Sequence, residues 1–246
     1  MNTKNEVIDT LKKYFQGRCE GIHIFGSDKG VNDFLNFYTK SEIIPYEAPD
    51  AYIMNGNDCL IIEHFKFDSF KRTKKGSQYE KEISSIRDLK NKKAVTEKIV
   101  EYSGVITSES SYSDYVSNII REFKNHYKKI PNYIDNLKKG NIIDNNTHIK
   151  VVFMIDDNTP GSFVVDDEGK KTPIVLSQCE EFLDVLKESQ KINYILSFSS
   201  VENNCYAWFI DRDEFDEYYE NVVDYNSFQF YHPKPLVHGR KFQQNI

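Results

Sequence analysis

The sequence predicts an α/β fold in which helices flank a central mixed sheet, carried by a single domain over residues 1–246. Three observations carry this reading. Residues 149–157, IKVVFMIDD, are a near-continuous apolar run of strand length, the pattern of a strand buried on both faces. Residues 51–54 and 59–67 are apolar runs on either side of Asn55-Gly56-Asn57-Asp58, and Asn-Gly between such runs is the strongest short-range hairpin signal. Residues 179–188 have helical spacing and stand between two strand-like runs, so a crossover should make those strands parallel neighbours.

Taken in order, residues 5–15 place Val7, Ile8, Leu11, Tyr14 and Phe15 at helical spacing, with Thr3 as N-cap and Gly17 just past the end. Residues 21–25 read as a strand and 31–38 as a second helix, ahead of the hairpin. Thr73-Lys74-Lys75-Gly76-Ser77 is a polar loop, followed by a charged helical stretch to about residue 98. Residues 112–137 form another helical region, with Tyr115, Val116, Ile119, Ile120, Phe123 and Tyr127 on one stripe and an interruption at Pro131. After the central run come a turn at residues 158–161, the helix with Phe182, Leu183, Val185 and Leu186 on its buried side, and strands at 192–198 and 206–210. No repeat and no low-complexity linker divides the chain.

Composition narrows the function. A chain of 246 residues can bury a substantial core, and its richness in Tyr, Phe, Asn, Lys and Ile fits an AT-rich bacterial genome. The N-terminus lacks the apolar core of a signal peptide and no run is long enough to span a bilayer, so a cytoplasmic protein without membrane contact is expected. Cys19, Cys59, Cys179 and Cys205 are scattered without C-x-x-C, as reduced core residues would be. The six histidines show neither H-x-x-x-H nor H-E-x-x-H, which argues against a zinc hydrolase.

The chemistry concentrates in residues 49–75. Glu63 interrupts an apolar strand, and a bare carboxylate there would cost several kcal/mol or lose its charge. Folding the hairpin antiparallel brings it near Asp50, and two close carboxylates can hold a hard divalent cation such as Mg²⁺. The simpler alternative pairs Glu63 with a lysine or arginine from the basic segment that follows.

At Pro49-Asp50 and Glu63 the chain resembles the PD-(D/E)XK, or restriction-endonuclease-like, nuclease superfamily in both residues and spacing. The resemblance implies a restriction-endonuclease-like core at about residues 20–200 with a helical insertion at about 77–140. It also implies a Mg²⁺- or Mn²⁺-dependent endonuclease acting on DNA or RNA, with Asp50 and Glu63 as metal ligands. The motif lysine does not match. Phe65 stands two residues after Glu63, and Lys66 points to the other face. Either Lys74 or Lys75 takes the lysine role, or the site is degenerate and the protein is a non-catalytic module binding nucleic acid, a protein partner or a second copy of itself. An acid from a preceding helix often completes the family's metal site, and Glu20, Asp33 and Glu42 are candidates.

The net charge of −6 is unevenly spread. Residues 66–98 are strongly basic and suit a phosphate backbone, while residues 211–224 are acidic. The tail from Phe228 mixes aromatic and basic residues, a combination that can stack on single-stranded nucleic acid or simply dock on its own domain.

Overall fold

Residues 151–155 lie on the central strand of a seven-stranded sheet and are buried on both of its faces. A computed structural model describes residues 6–15, 22–73, 76–94, 99–105, 110–158, 163–165, 168–201, 204–231 and 236–242. The chain begins with α1 (Glu6–Phe15), β1 (Ile22–Phe25), α2 (Asp28–Lys40), β2 (Ile44–Pro45), β3 (Ala51–Asn55) and β4 (Asp58–Phe67). It continues through β5 (Arg72–Thr73), β6 (Gly76–Ser77), α3 (Gln78–Ala94), β7 (Ile99–Val105), α4 (Tyr112–Tyr127) and α5 (Ile130–Lys139). The remaining elements are β8 (His148–Asp157), β9 (Phe163–Val165), β10 (Lys171–Thr172), α6 (Glu180–Glu188), β11 (Tyr194–Val201), β12 (Asn204–Asp211), α7 (Phe215–Tyr219), β13 (Gln229–Tyr231) and β14 (Leu236–Phe242).

The main sheet has the order β1-β12-β11-β8-β4-β3-β2 and is mixed. Strands β4, β8 and β11 are parallel neighbours, while β3 is antiparallel to β4 and β12 to β11. The expected α/β class is therefore the observed one. Gly56 turns the β3–β4 hairpin at φ +61°, a conformation L side chains rarely adopt. The α6 crossover returns the chain in the same direction, and Asn193 at the entry to β11 accepts the Val151 N–H at 2.9 Å.

Period-2 alternation explains why these strands are apolar throughout. Cys59, Ile61, Phe65 and Phe67 of β4, with Val151, Phe153 and Ile155 of β8, pack under α4, α5 and α6. Leu60, Ile62, Val152 and Met154 face α1 and α2 on the other side. Helix α2 starts earlier than hydrophobic spacing suggests, because Ser27 caps it by accepting the Gly30 N–H at 3.1 Å. Pro131 falls in the first turn of α5, where its missing N–H costs little, so it divides α4 from α5.

The stretch at about 77–140 is not purely helical. It contains β7, whose backbone pairs antiparallel with β14 from the end of the chain, and β13 likewise pairs with β9. The described parts of the tail, residues 229–231 and 236–242, thus pair with strands of their own chain. Among the described residues no helix is long and apolar enough to cross a membrane.

Candidate functional site

Register brings the two acids together. Ala51 pairs with Ile62 across the hairpin, so Asp50 stands opposite Glu63 at the end of the β3–β4 ladder. The His64 N–H donates to Asp50 Oδ2 at 2.8 Å, and the Tyr46 N–H donates to the Asp50 carbonyl at 2.9 Å. Glu63 is only 4% exposed, on the face of β4 covered by α4 and α5. Its Oε1 accepts the Tyr133 hydroxyl at 2.5 Å and lies 2.5 Å from His126 Nδ1. These partners come from α5 and α4, so the expected lysine or arginine from residues 66–98 is not what holds Glu63 among the described residues.

Electrostatics follow from this crowding. Burial, and then the neighbouring Glu63 carboxylate, push the Asp50 carboxyl up to about 6, against the opposing His64 N–H and His126. The repulsion between the two carboxylates is what makes ionising Asp50 costly beside Glu63. Burial and the bond to Glu63 likewise hold the Tyr133 hydroxyl well above the usual phenol range.

One flank of α4 is built to meet β4 and the loop after it. Asn118, Glu122 and His126 recur every four residues and therefore share that flank. Asn118 Nδ2 donates to the carbonyls of Asp68 at 2.8 Å and Phe70 at 2.9 Å. Glu122 pairs with Arg72, and His126 reaches Glu63. Phe65 stacks under the His126 ring with centroids 4.5 Å apart and planes 15° apart. The aromatic residue in the motif-lysine position therefore seats the imidazole that contacts Glu63. Lys129 Nζ lies 3.5 Å from His126 Nδ1, and Asn136 Nδ2 of α5 donates to the Ala48 carbonyl at 3.1 Å, tying α5 to the approach to Asp50.

The other sequence-derived candidates disperse. Lys74, Lys75 and Glu20 lie outside the described residues; β5 and β6, on either side of the two lysines, pair antiparallel. Asp33 acts on Lys150, which donates to the Tyr194 hydroxyl at 2.8 Å on the opposite side of the sheet. Glu42 is exposed beyond the end of α2. The two aspartates that end the central strand also stand apart, Asp156 in register with Lys66, three positions along from Glu63, and Asp157 beside Tyr115. Arg72 of the basic segment is engaged by Glu122 at 2.5 Å. His126 and Tyr133, 63 and 70 residues from Glu63, were not legible as site residues; the only sequence signal for them was that a buried Glu63 needed partners.

The chemistry of the donors decides how the pair could receive a divalent cation. Tyr133 and His126 hold Glu63 Oε1, and the His64 N–H holds Asp50 Oδ2. A hard cation would offset the repulsion between the two acids and use the other oxygen of each, keeping several of its own waters as Mg²⁺ does. The residues fit such an ion as a two-carboxylate site. Among the described residues no group of three or more His, Cys, Asp and Glu is arranged to hold a metal.

Fold and site together define an α/β protein with a buried Glu63 and a half-buried Asp50 paired on a hairpin at the side of a mixed sheet. Comparison with family models, curated proteins and solved structures finds no match to this chain.

Proposed function

We propose that this protein is a metal-dependent nuclease of the PD-(D/E)XK kind, hydrolysing phosphodiester bonds in DNA or RNA. The observation that carries the reading is the placement of Asp50 across the hairpin from the buried Glu63, close enough for the Glu63 charge to raise the Asp50 pKa. Acids desolvated together in this way are characteristic of functional sites. Mg²⁺ or Mn²⁺ held by Asp50 and Glu63 would supply an activated water and polarise the phosphate. Tyr133 and His126 orient the Glu63 carboxylate. Lys129, Lys74 and Lys75 are the cations proposed to balance charge developing on the phosphate.

A cytoplasmic setting goes with this reading. Cys59 and Cys179 are unbridged thiols, pushed up to about 11 and about 12 by burial, which keeps them protonated and inert.

The test is incubation with single- and double-stranded DNA and RNA in Mn²⁺. Cleavage by the wild-type protein, lost in Asp50→Ala and Glu63→Ala, is the expected result. No cleavage, or equal cleavage by the variants, overturns the reading.

One observation favours a second reading, a nuclease-fold module without catalysis. The Phe65 ring fills the motif-lysine position and is locked against His126 and Phe153. Such a module would bind nucleic acid, a protein partner or a second copy, and calorimetry would then find no divalent-metal binding that depends on Asp50 and Glu63.

A further inference from the structure

Helix α4 has a second flank, on the side away from Glu63. Arg121, Lys124 and Lys128 recur there three and four residues apart and line a groove with Ser117 and Asn125. Lys124, Asn125 and Lys128 are exposed, and Arg121 is half-buried. Arg121 donates from Nε to Glu122 at 3.3 Å, while its Nη2 finds no partner among the described residues. The groove's acid, Glu181, is engaged by the Tyr112 hydroxyl at 3.2 Å and Asn226 Nδ2 at 3.5 Å. Three cations thus line the groove, Arg121 paired with Glu122 and the two lysines exposed, beside one carboxylate, Glu181, that is already bonded.

We propose that this groove docks the sugar-phosphate backbone of a nucleic-acid strand, with Arg121, Lys124 and Lys128 on successive phosphates. The inference rests on the nuclease reading and adds where its substrate lies. Along a helix the three cations rise by about 4.5 and 6 Å, so a strand laid along α4 can meet them in turn. Ser117 and Asn125 supply neutral donors to the same backbone. At the end of α4 the charge continues from Lys128 to Lys129, which is beside His126 and so beside Glu63. A strand following these residues passes round the helix end to the acid pair.

Fluorescence anisotropy with a labelled single-stranded oligonucleotide in EDTA, at 50 to 200 mM salt, reads binding without cleavage. The groove variant is Arg121→Gln/Lys124→Gln/Lys128→Gln. Its control removes equal charge elsewhere, by Lys170→Gln/Lys187→Gln/Lys191→Gln at exposed positions. We expect the groove variant to bind about tenfold more weakly, with the salt slope reduced by about 2, at roughly 0.7 per single-strand phosphate contact. The control should match wild type. Equal weakening in both variants, an unchanged groove variant, or a wild type that binds a polyglutamate peptide and no nucleic acid would each overturn the proposal. Loss of Mn²⁺-dependent cleavage as the distinguishing property of Asp50 and Glu63 is read separately. If cleavage is absent while groove binding persists, the acid-pair reading fails and this one stands.

Discussion

Glu63 and Asp68 are both buried acids, five residues apart in β4 and the loop that follows, yet their surroundings differ in kind. Asp68 Oδ1 accepts the Phe70 N–H at 3.0 Å and the Ser77 hydroxyl at 3.1 Å, donors from its own loop. Burial, and to a smaller extent Glu80, raise its pKa, while these bonds and Arg72 oppose the rise, and among the described residues no second carboxyl is bonded to it. Glu63 instead meets the carboxyl of Asp50, with donors brought from two distant helices. An acid satisfied by its own loop shapes that loop. An acid pressed against another acid makes ionisation of both costly.

The comparison can be broken most directly by exchanging the consequences of losing each acid. Asp50→Ala and Glu63→Ala should cut Mn²⁺-dependent cleavage by about 100-fold or more, beyond what loss of an outer partner costs. Asp68→Ala should leave the remaining cleavage per folded molecule near wild type. Next in size, Tyr133→Phe and His126→Ala remove single partners of Glu63, and each should lower metal affinity or cleavage by about 10- to 100-fold in calorimetry and initial rates.

Stability sharpens the other side. Asp68→Ala strands the Phe70 N–H and Ser77 hydroxyl and should cost about 1–3 kcal/mol in urea unfolding, with metal affinity unchanged. The smallest effect belongs to Arg72→Ala. Its pair with Glu122 is partly exposed, so about 0–1 kcal/mol is expected by the same measurement.

How far the sequence could be read differs along the same lines. The strands β4 and β8 were legible because burial on both faces leaves continuous apolar runs, and the β3–β4 hairpin because Gly56 marks its turn. Asp50 and Glu63 were legible because a hairpin register is local. His126 and Tyr133 were not, since only packing of α4 and α5 onto the sheet carries them to Glu63. The β7–β14 pairing joins residues more than a hundred positions apart, and nothing in either segment names its partner. Asp33 shows the opposite failure, a plausible third acid that α2 delivers to Lys150 across the sheet.

The acid pair also sets a pH dependence. Asp50 is raised to about 6, so between about pH 4 and 6 the folded protein holds a proton the unfolded chain has lost. Stability should therefore fall as pH rises through that window, with the whole loss present above about 6. A cation binding only the folded pair offsets it, by about 2.7 kcal/mol at a hundred times Kd. The most direct measurement is the melting temperature at pH 7.5 as Mn²⁺ is added, for the wild type and Asp50→Asn. The wild type should melt higher with each addition, while Asp50→Asn should start higher and respond little. A wild-type melting temperature indifferent to Mn²⁺, or a rise of equal size in Asp50→Asn, would contradict the assignment of Asp50 and Glu63 as a cation-binding pair.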